Sequence, residues 1–174
     1  RMCEMVERIG ARLIRVDQQW GRATDPEAVR KAVKGRNPKL LAVVHAETST
    51  GVCQPLGPLA AIAKEAGAET VFGGYHPTLA AEEIGKSPDA KLIDYIVRGE
   101  GEATFRELIQ AKLEGKGLQD VLGLSYHLGG SGPEMVHNPP RPLLKVEGIR
   151  RPNRDCRLIT KGFYSFDVPI DSVE

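Results

Sequence analysis

An α/β protein built on a doubly wound parallel sheet is the fold this sequence predicts, and three observations carry the prediction. Apolar runs of strand length alternate with stretches of helical spacing over residues 1–140. The run Leu40, Leu41, Ala42, Val43 and Val44 is apolar on both faces, the pattern of a central parallel strand covered on each side by helices. Glycines follow the other buried runs, Gly73 and Gly74 after Val71 and Phe72, and Gly99 and Gly101 after residues 95–97. In open α/β sheets such strand exits form the ligand crevice.

The elements follow in order. Met2, Met5, Val6 and Ile9 have the three-and-four spacing of a helix, and Gly10 is placed to end it. Leu13, Ile14 and Val16 predict a strand over residues 12–17. Pro26 in a first turn, then Ala28, Val29, Ala32 and Val33, predict a helix opened by Thr24 or Asp25. After the strand at 40–44 comes a hydroxyl-rich loop. Residues 55–66 form a third helix, with Leu56, Leu59, Ile62 and Ala63 inward and Gly67 at its end. Residues 70–73 make the organising strand, 79–84 a short helix, 95–97 a buried strand and 102–113 an amphipathic helix. Residues 123–127 and 135–138 read as a small antiparallel hairpin at the sheet edge. Residues 141–174 turn basic and proline-punctuated, an irregular tail expected to dock through Phe163, Tyr164 and Phe166.

The totals narrow the function classes. A chain of 174 residues, 41% hydrophobic, can bury one sizeable core. Lys and Arg number 24 against 23 Asp and Glu, so the net charge of +1 supplies no field for nucleic acid or anionic lipid. No apolar run approaches the roughly 20 residues of a membrane helix and no signal peptide opens the chain, so a cytoplasmic location is expected. Cys3, Cys53 and Cys156 are widely spaced and form no metal or cluster motif, so no metal site is expected. Arg1 falls inside the first helical pattern, as in a segment cut from something longer.

Two resemblances meet in the chain. His45, Ala46, Glu47, Thr48, Ser49, Thr50, Gly51 and Val52, followed by Gln54, Pro55 and Leu56, make residues 1–67 similar to a fold-type I pyridoxal-phosphate aminotransferase of the alanine–glyoxylate or serine–pyruvate kind. That resemblance implies Thr48 beside the cofactor ring, an Asp on the next strand for the ring nitrogen, and a later Schiff-base lysine. Gly73 stands where the Asp belongs and no Ser-x-x-Lys stretch supplies the lysine. Aminotransferase chemistry is therefore not expected.

From residue 69 onward the chain resembles the cobalamin-binding domain that precedes the catalytic barrel of radical S-adenosylmethionine enzymes. The residues carrying this are the run Gly73, Gly74, Tyr75, His76, Pro77 and Thr78, the run from Val97 and Arg98 to Gly101 and Glu102, residues 123–126, and Asn138 to Pro142. The resemblance implies a flavodoxin-like, three-layer sandwich whose carboxyl-edge loops meet a corrinoid. The candidate cofactor-binding residues are Thr48, Ser49, Thr50, Gly73, Gly74, His76, Gly99, Gly101 and Glu102. His76 sits outside any D-x-H-x-x-G pattern, which favours a turn residue over a cobalt ligand, and His45, His127 and His137 carry no partner pattern. The sequence holds no cluster-binding cysteine triplet.

The leading expectation is a non-catalytic chimera of the two parents, joined near residues 66–70, with no catalytic residues and no cofactor. The alternatives are a corrinoid-binding module and a pyridoxal-phosphate transaminase fragment. Both templates place a strand before Met2 that this sequence lacks, so a homodimer or domain swap through an open sheet edge is also expected.

Overall fold

The computed structural model describes residues 2–36, 38–128 and 134–143, together with 164–165 and 168–169. The chain divides into a unit Arg1–Pro142 and a unit Leu143–Glu174. Within the second, Tyr164–Ser165 pairs antiparallel with Val168–Pro169. The expected docking of the tail, including Phe163 and Phe166, lies outside the described residues.

The helices form where the spacing places them. Helix α1 spans Met2–Arg8, and Gly10, at φ +73°, ends it in the left-handed region. Its stripe is nevertheless open, with Met5 and Ile9 exposed. Helix α2, Pro26–Val33, is capped by Asp25, whose side chain accepts the Glu27 N–H at 3.0 Å. Helix α3 is Leu56–Glu65 and Gly67 terminates it. The predicted helix at 79–84 is two short helices, α4 (Tyr75–Leu79) and α5 (Ala81–Lys86). Helix α6 runs Gly101–Glu114.

The strands are shorter than the sequence predicts. Ala46–Glu47 (β1) and Val52–Cys53 (β2) form a small hairpin. A four-stranded sheet contains β3 (Val71–Gly73), β4 (Tyr95–Val97), β5 (Leu124–His127) and β6 (Met135–His137), in that spatial order. Strands β3 and β4 are parallel, while β5 and β6 add antiparallel at the edge as the predicted hairpin. The sheet is therefore mixed. The expected strands at 12–17 and 40–44 are not paired: Leu13, Ile14 and Val16 are half-buried, and Leu40 to Val44 are exposed. Hydrophobic alternation makes a segment ready to be a strand, but only a neighbour's backbone makes it one.

Strand β4 is the centre of the sandwich and shows why the layers form. All three of its residues are buried, and successive side chains face opposite ways. Tyr95 and Val97 pack with Leu108 and Ala111 of α6 and with Leu124, whereas Ile96 packs with Ala81 of α5 and Met135. A separate cluster of Val29, Leu59 and Ile62 joins α2 to α3 with Val16 against it.

Asp94, just before β4, ties three elements together. Its carboxylate accepts from the Thr70 N–H at 2.6 Å and from Lys64 of α3, while its own N–H donates to Thr70 Oγ1 at 3.0 Å. The Thr70 hydroxyl proton faces both Leu92 O at 2.6 Å and Asp94 Oδ2 at 3.0 Å. Burial pushes the Asp94 carboxyl up, but the bonds from Lys64 and Thr70 outweigh it and hold it below its ordinary value. A carboxyl depressed on folding stabilises the fold above its unfolded pKa of about 3.9, and that contribution is lost as pH falls through the lower folded value. Asp94→Ala is expected to cost about 1–3 kcal/mol in urea unfolding at pH 7. The deficit relative to the unsubstituted protein should shrink below about pH 4, where protonation abolishes the same contribution.

Candidate functional site

Parallel pairing sets the site's geometry. Gly73 is in register with Val97, so the chain leaves β3 and β4 side by side and turns at once into α4 and α6. Gly74 has φ +101°, a conformation that side chains with a Cβ rarely adopt, and a Cβ built there meets nothing within 4 Å. Gly99, at φ +73°, is equally open. These two glycines leave bare backbone at the carboxyl edge.

The other two glycines have different roles. A Cβ on Gly101 would lie 2.9 Å from Val97 Cγ1, so this glycine lets α6 pack down on β4. A Cβ on Gly73 would make ordinary contact with Val97 at 3.6–3.7 Å. Glu102 lies in the first turn of α6, where a carboxylate complements the helix dipole. That N-terminus carries no bond from the Glu100 side chain as a cap.

Thr78 fastens the two open loops to each other. Its hydroxyl donates to Gly74 O at 2.7 Å and accepts the Gly99 N–H at 2.9 Å. The third loop arrives through His45. Its ring lies edge-on to Phe72 at 5.4 Å and tilted against His76 at 5.9 Å, with Phe72 and His76 also in contact at 6.1 Å. Cys53 Sγ lies 3.5 Å from His45 Nε2. His76 is thus part of an aromatic cluster, and His45, which has no partner pattern in the sequence, holds the β1–β2 hairpin to the sheet edge. Thr48 and Ser49 are exposed at the hairpin turn and Thr50 is half-buried. Ser49 donates its N–H and its hydroxyl to Glu47 Oε1 at 3.0 and 2.8 Å, so that hydroxyl shapes the turn. Those two bonds hold the Glu47 carboxyl below its usual range.

Behind the edge, Arg98 is a part-buried cation that makes no ion pair among the described residues. Its Nη2 donates to Leu124 O at 3.2 Å and to Asn138 O, while its buried Nε has no partner among the described residues. Burial lowers its pKa. Arg98 and Thr78 stand within the motifs quoted above, yet no sequence pattern gives their bonding. Among the described residues no group of three or more His, Cys, Asp or Glu side chains is placed to hold a metal ion. Two open surface hollows lie away from this edge, one of about 510 Å³ along α6 and one of about 380 Å³ at the amino end of β4 beside Glu69, Tyr95 and Lys112. The carboxyl edge is an open shelf, the shape for a broad flat ligand and a poor one for a small enclosed molecule.

Comparison with known proteins decides the family. The profile of the B12-binding domain matches residues 5–109 of the chain. The chain belongs to the B12-binding domain family. As a B12-binding domain it carries the flavodoxin-like α/β fold that the alternation of strands and helices predicts. It is 42% identical over 86 residues to an uncharacterized methyltransferase of Pyrococcus horikoshii, covering 49% of this chain and 18% of that protein. It is 31% identical over 142 residues to the anaerobic magnesium-protoporphyrin IX monomethyl ester cyclase of Synechocystis, covering 78% of this chain and 26% of the cyclase. A shorter likeness, 42% over 55 residues, is to the (S)-ureidoglycine–glyoxylate transaminase of Bacillus subtilis, covering 32% of this chain and 13% of the transaminase. The chain therefore spans between 13% and 26% of the length of these relatives.

The B12-binding match includes residues 66–70, so the seam expected there divides nothing that the family profile treats as separate. The expectation that no cofactor binds gives way, because family membership favours the corrinoid alternative. No helix among the described residues is long and apolar enough to cross a membrane.

Removing the Thr78 hydroxyl should loosen the shelf without unfolding the sheet. In Thr78→Val, hydrogen exchange at the Gly99 amide should quicken roughly three- to tenfold, the worth of one such bond, while amides of β4 and β5 keep their protection.

Proposed function

We propose that this domain is a corrinoid-binding module that presents its ligand on the carboxyl-edge shelf and does no bond-making chemistry with its own side chains. The observation that carries the reading is the pair of open, positive-φ glycines, Gly74 and Gly99, held level by Thr78 beneath a family match to B12-binding domains. A flat macrocycle needs backbone it can approach closely, and a Cβ at either position would stand in that space. Tyr75 and Leu79, 86% and 73% exposed, offer apolar surface on α4 next to the shelf. The N–H groups of the first turn of α6, which have no partner within a helix, suit a phosphate or amide oxygen of the ligand's periphery, and the exposed hydroxyls of Thr48 and Ser49 lie on the hairpin that His45 anchors. When bound, the corrinoid supplies cobalt-centred methyl or electron transfer, and the residues named here hold and orient it.

His76 is packed against His45 and Phe72, which supports a positioning role over cobalt ligation. The methyltransferase and cyclase likenesses fit a domain that delivers a cofactor to chemistry performed elsewhere.

A second reading, a recombined chimera carrying an aminotransferase segment, is favoured by the 42% identity over 55 residues to the transaminase. Against pyridoxal chemistry stands Gly73 at the end of β3, where that likeness requires an Asp. Pyridoxal phosphate followed by borohydride is expected to leave no site-specific pyridoxyl-lysine in a peptide digest, and one dominant modified lysine would revive the transaminase reading.

Equilibrium dialysis with hydroxocobalamin, read by its visible spectrum, tests the proposal. One equivalent of pigment should be retained, and Gly74→Val and Gly99→Val should each weaken retention roughly tenfold or more, about 1.4 kcal/mol, with the circular dichroism unchanged. No retained pigment at high micromolar protein would overturn it.

A further inference from the structure

Arg98 carries a charge that no carboxylate among the described residues neutralises. Its Nη2 donors face two neutral carbonyls, Leu124 O at 3.2 Å and Asn138 O. The donors on Nη1 and Nε have no partner among the described residues, and Nε is buried. Burial lowers the Arg98 pKa, and no acidic neighbour acts the other way. Removing a guanidinium from water costs free energy that a counter-ion ordinarily offsets, so a part-buried arginine bonded only to carbonyls is short of an anion.

Sheet topology places this charge on the flank of the shelf. Strand β5 is antiparallel to β4 with Leu124 opposite Val97, and β6 is antiparallel to β5. The start of β5 and Asn138, just past the end of β6, therefore both lie level with the carboxyl end of β4. The Arg98 N–H, donating to Gly123 O at 2.9 Å, marks the same level. Gly74, Gly99 and the carbonyls that hold the guanidinium thus follow one another along the edge in the spatial order of β3, β4 and the β5–β6 hairpin. Two strand spacings are roughly 10 Å, so a broad flat ligand seated on the two glycines brings its periphery to Arg98. The charge is felt in that region, since burial first and Arg98 second lower the His137 pKa.

We propose that Arg98 is the counter-ion for the phosphodiester of a cobalamin's nucleotide loop, an anion subsite on the flank of the shelf. The inference rests on the corrinoid reading and names the part of the ligand that this flank receives. The amide side chains of the macrocycle are neutral and leave the guanidinium uncompensated, whereas a phosphodiester stays anionic across the working pH range and presents acceptor oxygens that match guanidinium donors. The carbonyls of Leu124 and Asn138 fix the fork before the ligand arrives, so little side-chain freedom is lost on pairing.

Equilibrium dialysis of the full chain and of Arg98→Gln, each against hydroxocobalamin and against cobinamide, the corrinoid without the nucleotide loop, tests the assignment. The unsubstituted chain should hold hydroxocobalamin about tenfold or more tighter than cobinamide, the worth of one charge-assisted pair. Arg98→Gln should abolish that preference. Because the two ligands are compared on one variant, a general loss of stability in Arg98→Gln does not imitate the result. In the unsubstituted chain the Arg98 Nε–H resonance should move with hydroxocobalamin and stay in place with cobinamide. Equal retention of the two corrinoids, a preference that survives Arg98→Gln, or an Nε–H resonance that answers only to inorganic phosphate would each overturn the assignment while leaving the corrinoid reading intact. Retention of neither corrinoid would overturn both.

Discussion

The short clamp around Asp94 is the interaction on which the rest of the arrangement depends. Its carboxylate, received by the Thr70 backbone and by Lys64, fixes where β3 begins relative to β4 and ties the last turn of α3 to that junction. Three residues later the consequence appears at the other end of the sheet, where Gly73 and Val97 are level and the two chains turn outward together. A slip of one residue would send Val97 and Tyr95 to the face now filled by Ile96 and dissolve both helix contacts. The shelf at the carboxyl edge is thus set by a polar contact at the amino edge.

Rigidity and openness are divided among residues that look alike in the sequence. Of four glycines near the shelf, Gly73 and Gly101 sit against Val97, while Gly74 and Gly99 face open space with backbone that a Cβ would strain. Thr78 joins the second pair, so the bare backbone is held in one conformation before any ligand arrives. Preorganisation of this kind reduces what binding must spend on ordering loops. The β1–β2 hairpin is attached through ring contacts of His45 and, just past β2, through the buried Gln54 amide, which bonds the Thr24 backbone.

Much of this was legible in the residues. Asp25 with Pro26 announces α2, Gly10 and Gly67 mark helix ends, and the unbroken apolar run Tyr95, Ile96 and Val97 marks the strand buried on both faces. The run at 40–44 has the same signature and is not a paired strand, because apolarity reports readiness for burial and says nothing about whether a neighbour is present. At the site, the glycine positions were legible and their division of labour was not, since φ and the approach of Val97 are properties of the folded chain. The contacts of His45 and Arg98 were not legible for a related reason. Their partners, Phe72 with His76 and Leu124 with Asn138, are brought to them by the sheet and not by spacing along the chain. Two family likenesses in one chain made a seam near residues 66–70 a natural expectation, and a single domain profile running through it favours one continuous fold.

The central claim is that the levelled exits of β3 and β4 form the face that receives a corrinoid. Amide chemical-shift mapping during titration with diamagnetic hydroxocobalamin measures this most directly. The account predicts a contiguous set of perturbed amides at Gly74, Tyr75, Gly99 and the first turn of α6, with Glu69, Asp94 and Lys112 at the amino end unmoved. Perturbations confined to that amino end, or none at saturating ligand, would contradict it.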